Sequence, residues 1–456
     1  MDLSRRTILL GAGALSVLGS RLGSPALAQP APSAQGADLP PILFLHGNGE
    51  QAPLWVTTIW RMESNGVARA RLFAINFTDP LARTDDKVEQ ANHSSTEDQR
   101  RELGEAIRQL KQATGAARVA LVGNSRGGNA IRNYIKNGGG GDVSHAVLCG
   151  TPNHGVYAWD DRLGNEFNGR GPFLRGLNDG DSEVTAGTAF LTLRSDGLDK
   201  FAQGDGRFVG KPGTPTNITA DGPALKGATN LVLGALDHRE TAYHPRAFRE
   251  IYKFIAGREP SRIDIVPETT VKLSGLVTAT PGGVPTNHPV SGASVDIYHV
   301  SAETGERIGG PLHSSQTGTD GRWGPAQVDP SWPLEFVLTS PDAVTTHIYR
   351  SPFPRSSDIV HLRAARPLTP ADAGAGAIVL MSRPRGYFGL PRDIVLFDGK
   401  EPADIKSGVP ADAVTTLRLA AADIGRPVAA IFNTERIVMR TWPASENRIA
   451  IAELTY

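Results

Sequence analysis

The sequence predicts an α/β domain built on a doubly wound, mostly parallel sheet, followed by an all-β region of sandwich or barrel type. Three observations carry this reading. Apolar runs such as PILFLH (41–46), RVALV (118–122) and HAVLC (145–149) lack polar alternation and are separated by helix-like stretches; strands buried on both faces of a parallel sheet look like this. From about residue 268 the runs alternate apolar with polar residues, as in TVKLSGLVTA and GASVDIYHV, which suits antiparallel strands with one wet face. The 456 residues also exceed one ordinary domain and contain enough apolar material for two or three cores.

The first 28 residues contain Ser4-Arg5-Arg6, an apolar stretch and Ala26-Leu27-Ala28. This is an export signal of twin-arginine type, which implies a twin-arginine translocase as partner and a periplasmic or secreted protein. Residues 29–39 read as a flexible leader, and 40–259 as the α/β domain. Its strand candidates are 41–46, 71–77, 118–122, 145–149, 188–194 and 229–234, with helices expected near 53–65, 94–114, from 126 and over 245–256. The second of these helices has a Ser/Thr/Asp cap and carries Leu103, Ala106, Ile107 and Leu110 on one face. Residues 156–187, rich in Gly, Asp and Asn, interrupt the rhythm as a lid-like insertion. The all-β region spans 268–456, with sub-modules expected at 268–365 and 375–456.

Lys and Arg total 47 and Asp and Glu total 47, so nothing argues for nucleic acid as partner. The single cysteine, Cys149, rules out an intrachain disulfide and a cysteine-based zinc site.

Ser125 lies in Gly123-Asn124-Ser125-Arg126-Gly127, between the RVALV strand and a helix. A G-x-S-x-G in that setting is a nucleophile elbow: the glycines permit a sharp turn that lifts the hydroxyl above the sheet. The N–H of Arg126, opening the helix, faces a developing oxyanion. A second donor comes from the loop after the first strand, FLHGNGE, where Asn48 is the natural choice and His46 supports the loop. Serine needs a base. His145, His154, His238 and His244 follow it in the α/β part; His238, after the last strand, is preferred over His244, which precedes Pro245. The acid belongs to the loop SDGLDKF, which offers Asp196 and Asp199; Asp199 is the choice for orienting the imidazole, with Asp196 capping the turn.

Together PILFLHGNG, VALVGNSRGG, GTPNHG, SDGLD and the Asp237-His238 pair resemble the α/β-hydrolase superfamily, and more narrowly the bacterial and archaeal class 2 lipases, over residues 40–256. The resemblance implies a serine esterase or lipase without cofactor or catalytic metal. Its triad would be Ser125, Asp199 and His238, and its oxyanion hole the amides of Asn48 and Arg126. Lipases of archaeal type also carry a carboxy-terminal β domain in similar placement, while residues 272–325 look like small prealbumin-like or carboxypeptidase-regulatory sandwiches. Asn124 and Arg126 depart from the usual elbow, and the Arg126 side chain either selects a carboxylate-bearing substrate or points into the loop. Asp160, Asp161, Asp179 and Asp181 are either calcium ligands or, more simply, a solvated acidic loop. Trp323, Trp332 and Trp442 line a polymer site or, more simply, pack the core.

The expected function is therefore a secreted carboxylic-ester hydrolase acting on an ester or lipid-like substrate, small or polymeric, with transient contact with a lipid surface. Amidase, acyltransferase, thioesterase or polyester-depolymerase chemistry on the same fold is the nearest alternative. A non-catalytic surface-binding protein on a hydrolase scaffold is the alternative from another class.

Overall fold

The computed structural model describes residues 39–341 and 343–456. The signal reading of residues 1–28, and the leader as far as residue 38, lie outside the described residues.

The α/β part carries six strands of one sheet: β1 (Ile42–Leu45), β2 (Leu72–Ala74), β5 (Val119–Asn124), β6 (Val143–Cys149), β7 (Ala189–Arg194) and β8 (Thr229–Val232). A two-residue pair, β3 (Leu81–Ala82) and β4 (His93–Ser94), lies between β2 and β5 in sequence. The sheet order is β2-β1-β5-β6-β7-β8, and every pairing in it is parallel. Side chains alternate across the sheet with period two. Ile42, Phe44, Ala120, Val122, Val147 and Cys149 share one core with residues of α1 (Val56–Ser64) and α6 (Pro245–Ala256). Leu43, Leu45, Val119, Leu121, Ala146 and Leu148 share another with α2 (Thr96–Thr114) and α3 (Arg126–Lys136). Both faces are thus covered by helices, which is why these strands read as continuous apolar runs. Ser95 caps α2, accepting the Asp98 N–H, while Asp98 returns a bond to the Ser95 N–H. Two short helices complete this part, α4 (Pro172–Leu177) and α5 (Glu240–Tyr243).

The remaining strands are β9 (Val271–Leu276), β10 (Ser294–His299), β11 (His313–Gln316), β12 (Arg322–Val328), β13 (Leu334–Thr339), β14 (Thr345–Arg350), β15 (Ala377–Ser382), β16 (Val395–Phe397), β17 (Val414–Leu419), β18 (Pro427–Phe432), β19 (Glu435–Arg440) and β20 (Arg448–Glu453). The two sequence-level sub-modules share one seven-stranded sheet, ordered β11-β10-β13-β14-β20-β15-β17. Its seam is the carboxy-terminal strand: β20 lies between β14 and β15 and runs parallel to both. An antiparallel reading misses such a pairing, because the alternation of RIAIAE specifies a half-buried strand but not its direction. The pair β9–β12 packs over one part of this sheet, and β16-β18-β19 over another. Trp323 is buried in this core and donates from Nε1 to the Val360 carbonyl at 3.1 Å. Trp442 and Trp332 stack on His347 and His299.

The α/β and β parts are bonded closely. The core beneath α1 and α6 continues into Val271, Leu273 and Phe336. Trp60 Nε1 donates to the Ser356 carbonyl at 3.0 Å, and Asn287 Nδ2 to the Phe77 carbonyl at 2.7 Å. Among the described residues no helix is long and apolar enough to cross a membrane.

Candidate active site

The carboxyl ends of β1, β5, β7 and β8 all face one rim of the sheet, where open parallel sheets hold their ligands. Each contributes one functional segment. At the end of β5 the chain turns at Ser125 with φ 52° and ψ −120°, a conformation that costs a non-glycine residue about 1–3 kcal/mol. The turn is possible because its neighbours lack Cβ atoms. One on Gly123 would lie 2.7 Å from the carbonyl carbon of Gly127, and one on Gly127 would lie 2.6 Å from the His46 oxygen. The Ser125 N–H donates to the Cys149 carbonyl at 2.8 Å, tying the elbow to β6.

The loop after β1 comes close to this elbow. A Cβ on Gly47 would be 3.0 Å from that of Ser125. The Gly47 N–H donates to Oε2 of Glu50 (2.7 Å), and Oδ1 of Asn48 accepts the Ala82 N–H (2.8 Å). The backbone N–H groups of Asn48 and Arg126 have no acceptor among the described residues. His46 is fully buried; its Nδ1 donates to the Gly47 carbonyl at 2.9 Å and its Nε2 accepts the Phe77 N–H at 3.1 Å. Burial pushes its pKa down to about 4, against the pull of the Gly47 carbonyl and Glu50. With both nitrogens occupied, it holds the loop.

After β7, Asp199 and Asp196 part company. Oδ2 of Asp199 lies 2.8 Å from Nδ1 of His238, and its Oδ1 accepts the Phe201 N–H at 2.8 Å. Asp196 instead accepts the N–H groups of Ala235 (2.8 Å) and Leu198 (3.1 Å), binding its loop to the one after β8. Burial opposes charge on Asp196, but these N–H groups and the Ser195 hydroxyl hold its pKa below the usual carboxylate value.

A carboxylate only accepts, so Nδ1 of His238 carries the proton. In the neutral ring Nε2 is then a free base, and it is buried without a hydrogen-bond partner. The edge of the Phe201 ring packs against the imidazole, with centroids 4.7 Å apart. The Asn124 side chain donates to the carbonyls of Cys149 (3.1 Å) and His238 (3.4 Å), linking the elbow to the histidine turn. The other histidines lie elsewhere. His244 caps α6 with Nδ1, and burial and Arg246 push its pKa to about 4. His154 contacts Glu183 at 3.0 Å, and His145 packs edge-on against Phe254.

Ser125 and His238 line one cavity of about 280 Å³ with Asn48, Glu50 and Arg239. Its other walls are mostly aromatic and aliphatic, including Tyr157, Phe167, Phe201, Phe208 and Tyr387. A second cavity, of about 150 Å³, is walled by Asp199, Phe201 and His238 but not by Ser125. Tyr387 comes from the β region and has no local sequence motif to announce it. The Arg239 guanidinium and the Lys200 ammonium both lie over its ring, 4.6 and 3.8 Å from its centroid. Burial and Arg239 push the pKa of Lys200 down to about 8.

The Arg126 side chain does not reach this cavity. It is wholly buried, with Nε and Nη2 on the two carboxylate oxygens of Glu166 at 2.8 and 2.7 Å. Its other N–H groups reach the carbonyls of Pro80 (3.1 Å) and Ser94 (2.7 Å) and the Ser94 hydroxyl (2.9 Å). A guanidinium so fully engaged has no donor left for a substrate carboxylate, so it points into the loop. The partner, Glu166, belongs to the 156–187 insertion, which is thereby bolted to the start of α3. Asp160 pairs with Arg170 within the insertion, and Asp161 pairs with Lys211 beyond it. Among the described residues no group of three or more His, Cys, Asp or Glu side chains is placed to hold a metal ion.

A parallel sheet with a serine elbow after β5 and an acid–histidine pair after β7 and β8 is the α/β-hydrolase fold. Residues 40–153 match the Lipase (class 2) family and residues 269–367 match the Lipase C-terminal domain, so the chain resembles lipases in both parts. No curated protein matches the sequence. Among solved structures, the lin2722 gene product of Listeria innocua is 17% identical and covers 50% of this chain and 97% of its own, with a TM-score of 0.33. Lipase BlEst2 of Bacillus licheniformis in mature form is 19% identical, covers 51% and 96%, and has a TM-score of 0.34. Lipase B of Aspergillus fumigatus is 15% identical, covers 51% and 57%, and has a TM-score of 0.35. The family matches support a hydrolase that acts on esters.

Proposed function

We propose that this chain is a serine carboxylic-ester hydrolase working through an acyl-enzyme on Ser125. One observation carries the reading: His238, with Nδ1 on Asp199 and Nε2 unpartnered, lines the same cavity as the elbow serine. Oγ of Ser125 attacks the ester carbonyl as Nε2 of His238 takes the hydroxyl proton. The N–H groups of Asn48 and Arg126 hold the oxyanion, and Asp199 stabilises the imidazolium. Collapse expels the alcohol, which leaves with the proton from Nε2. A water then gives its proton to Nε2 and attacks the acyl-enzyme, releasing the acid and restoring Ser125.

A cavity of about 280 Å³ lies at the lower end of ordinary ligand-pocket volumes, which favours short-chain esters over long-chain ones. Export in the folded state through a twin-arginine translocase completes the proposal. The one cysteine, Cys149, is buried and unpaired, so folding before export needs no oxidant.

A panel of p-nitrophenyl esters tests the reading. Butyrate should turn over and palmitate should not compete with it, and both Ser125→Ala and His238→Ala should abolish turnover. Equal activity of parent and Ser125→Ala overturns the mechanism; a preference for palmitate overturns only the chain-length assignment.

A further inference from the structure

The turn that carries His238 is built from two buried carboxylates. Asp237 is 0% exposed and Glu240 6% exposed. Oδ1 of Asp237 accepts the N–H groups of Arg239 (2.8 Å) and Glu240 (2.9 Å), while its own N–H donates to Oε2 of Glu240 (2.7 Å). These bonds close the turn of residues 237–240 and open α5. Two carboxylates this close in a dry place repel each other unless a cation lies between them.

The cation comes from the β region. Arg383, immediately after β15, is 2% exposed. Its Nη1 lies 2.7 Å from Oδ2 of Asp237 and its Nη2 lies 2.6 Å from Oε1 of Glu240. Its remaining N–H groups donate to the Tyr387 carbonyl, the Tyr243 hydroxyl and the Tyr456 carbonyl, so the guanidinium is held on every side. The Tyr387 N–H adds a bond to Oδ2 of Asp237 at 2.7 Å, and Arg392 one to Oε2 of Glu240 at 2.7 Å.

We propose that Arg383 is a positioning residue for the catalytic base: bridging Asp237 and Glu240 from the β region, it holds the turn that presents His238 to the Ser125 cavity. This rests on the roles given above to Ser125 and His238. A planar fork reaches both carboxylates at once, which an ammonium cannot do. The β region is then a working part of the active site, because small displacements of a catalytic base are costly in rate.

The test is steady-state kinetics of the full chain on p-nitrophenyl butyrate for the parent, Arg383→Gln, Arg383→Lys and the double variant Arg383→Gln/Glu240→Gln. Arg383→Gln should lose on the order of 100-fold in kcat. Its KM should stay within about twofold of the parent's, because Arg383 itself does not line the cavity. The double variant removes one carboxylate with the guanidinium and leaves Arg392 to balance Asp237; it should regain about tenfold in kcat. A parent-like kcat for Arg383→Gln, a loss confined to KM, or no recovery in the double variant overturns the proposal. Should Arg383→Gln not fold, Arg383→Lys carries the test: a kcat loss of about tenfold supports the proposal, and a parent-like kcat overturns it. An inert parent refutes the roles of Ser125 and His238, and the proposal with them. An active parent abolished by Ser125→Ala, beside a parent-like Arg383→Gln, refutes the proposal alone.

Discussion

Nδ1 of His238 stands 2.8 Å from Oδ2 of Asp199, with the two side chains only 4% and 11% exposed. The pair selects the tautomer in which Nε2 can take a proton. Asp199→Asn should therefore lower kcat by roughly 10⁴-fold, because an amide also stabilises the wrong tautomer. Asp196→Asn removes a loop contact and should leave kcat within about threefold of the parent. Kinetics of the two variants side by side decide the matter; the reverse ranking makes Asp196 the acid.

The buried Arg126–Glu166 pair makes a stability prediction. Arg126→Met strands a carboxylate whose pKa burial already raises, against the pull of Arg126. Denaturant unfolding should show a loss of about 3–5 kcal/mol. Arg126→Met/Glu166→Leu should recover a large part of it, since replacing both charges removes the desolvation cost as well. KM for esters with and without a carboxylate should shift alike in both variants. A selective loss for the carboxylate-bearing ester would give the Arg126 side chain a role in substrate choice.

Acid should destabilise the protein as the pH falls below the ordinary histidine range. Burial lowers the pKa of His46 from 6.5 to about 4, and burial with Arg363 lowers that of His361 to about 3. Above pH 6.5 these histidines are neutral whether folded or unfolded, and their contribution to stability is complete. As pH falls from 6.5 towards 4, the unfolded chain takes up protons that the folded one refuses, so stability falls. For His46 the loss approaches about 3 kcal/mol across that window. Unfolding free energies at pH 7, 5.5 and 4.5 measure the slope, and His46→Gln should flatten it. An unchanged slope in that variant assigns the acid sensitivity elsewhere.

The parallel sheet was legible because burial on both faces writes continuous apolar runs, and the elbow because Gly123, Ser125 and Gly127 form a motif with a steric reason. The acid loop was less so: Asp196 and Asp199 differ only in where a short irregular turn sends them. Tyr387 and Arg383 were not legible at all. They reach the site through the pairing of β14, β20 and β15, and alternation within a strand says nothing about its neighbours in the sheet. The Arg126 side chain has the same lesson in reverse. Its position beside Ser125 left both substrate and loop open, and Glu166 and Ser94, distant in sequence, decide for the loop by burying it.

The proposed mechanism makes Ser125 the nucleophile and His238 its base. The most direct measurement is mass spectrometry of the full chain after treatment with a fluorophosphonate. One adduct per chain is expected, mapped to the peptide containing Ser125, absent from Ser125→Ala and strongly slowed in His238→Ala. An unlabelled parent, or an adduct that persists in Ser125→Ala, would contradict it.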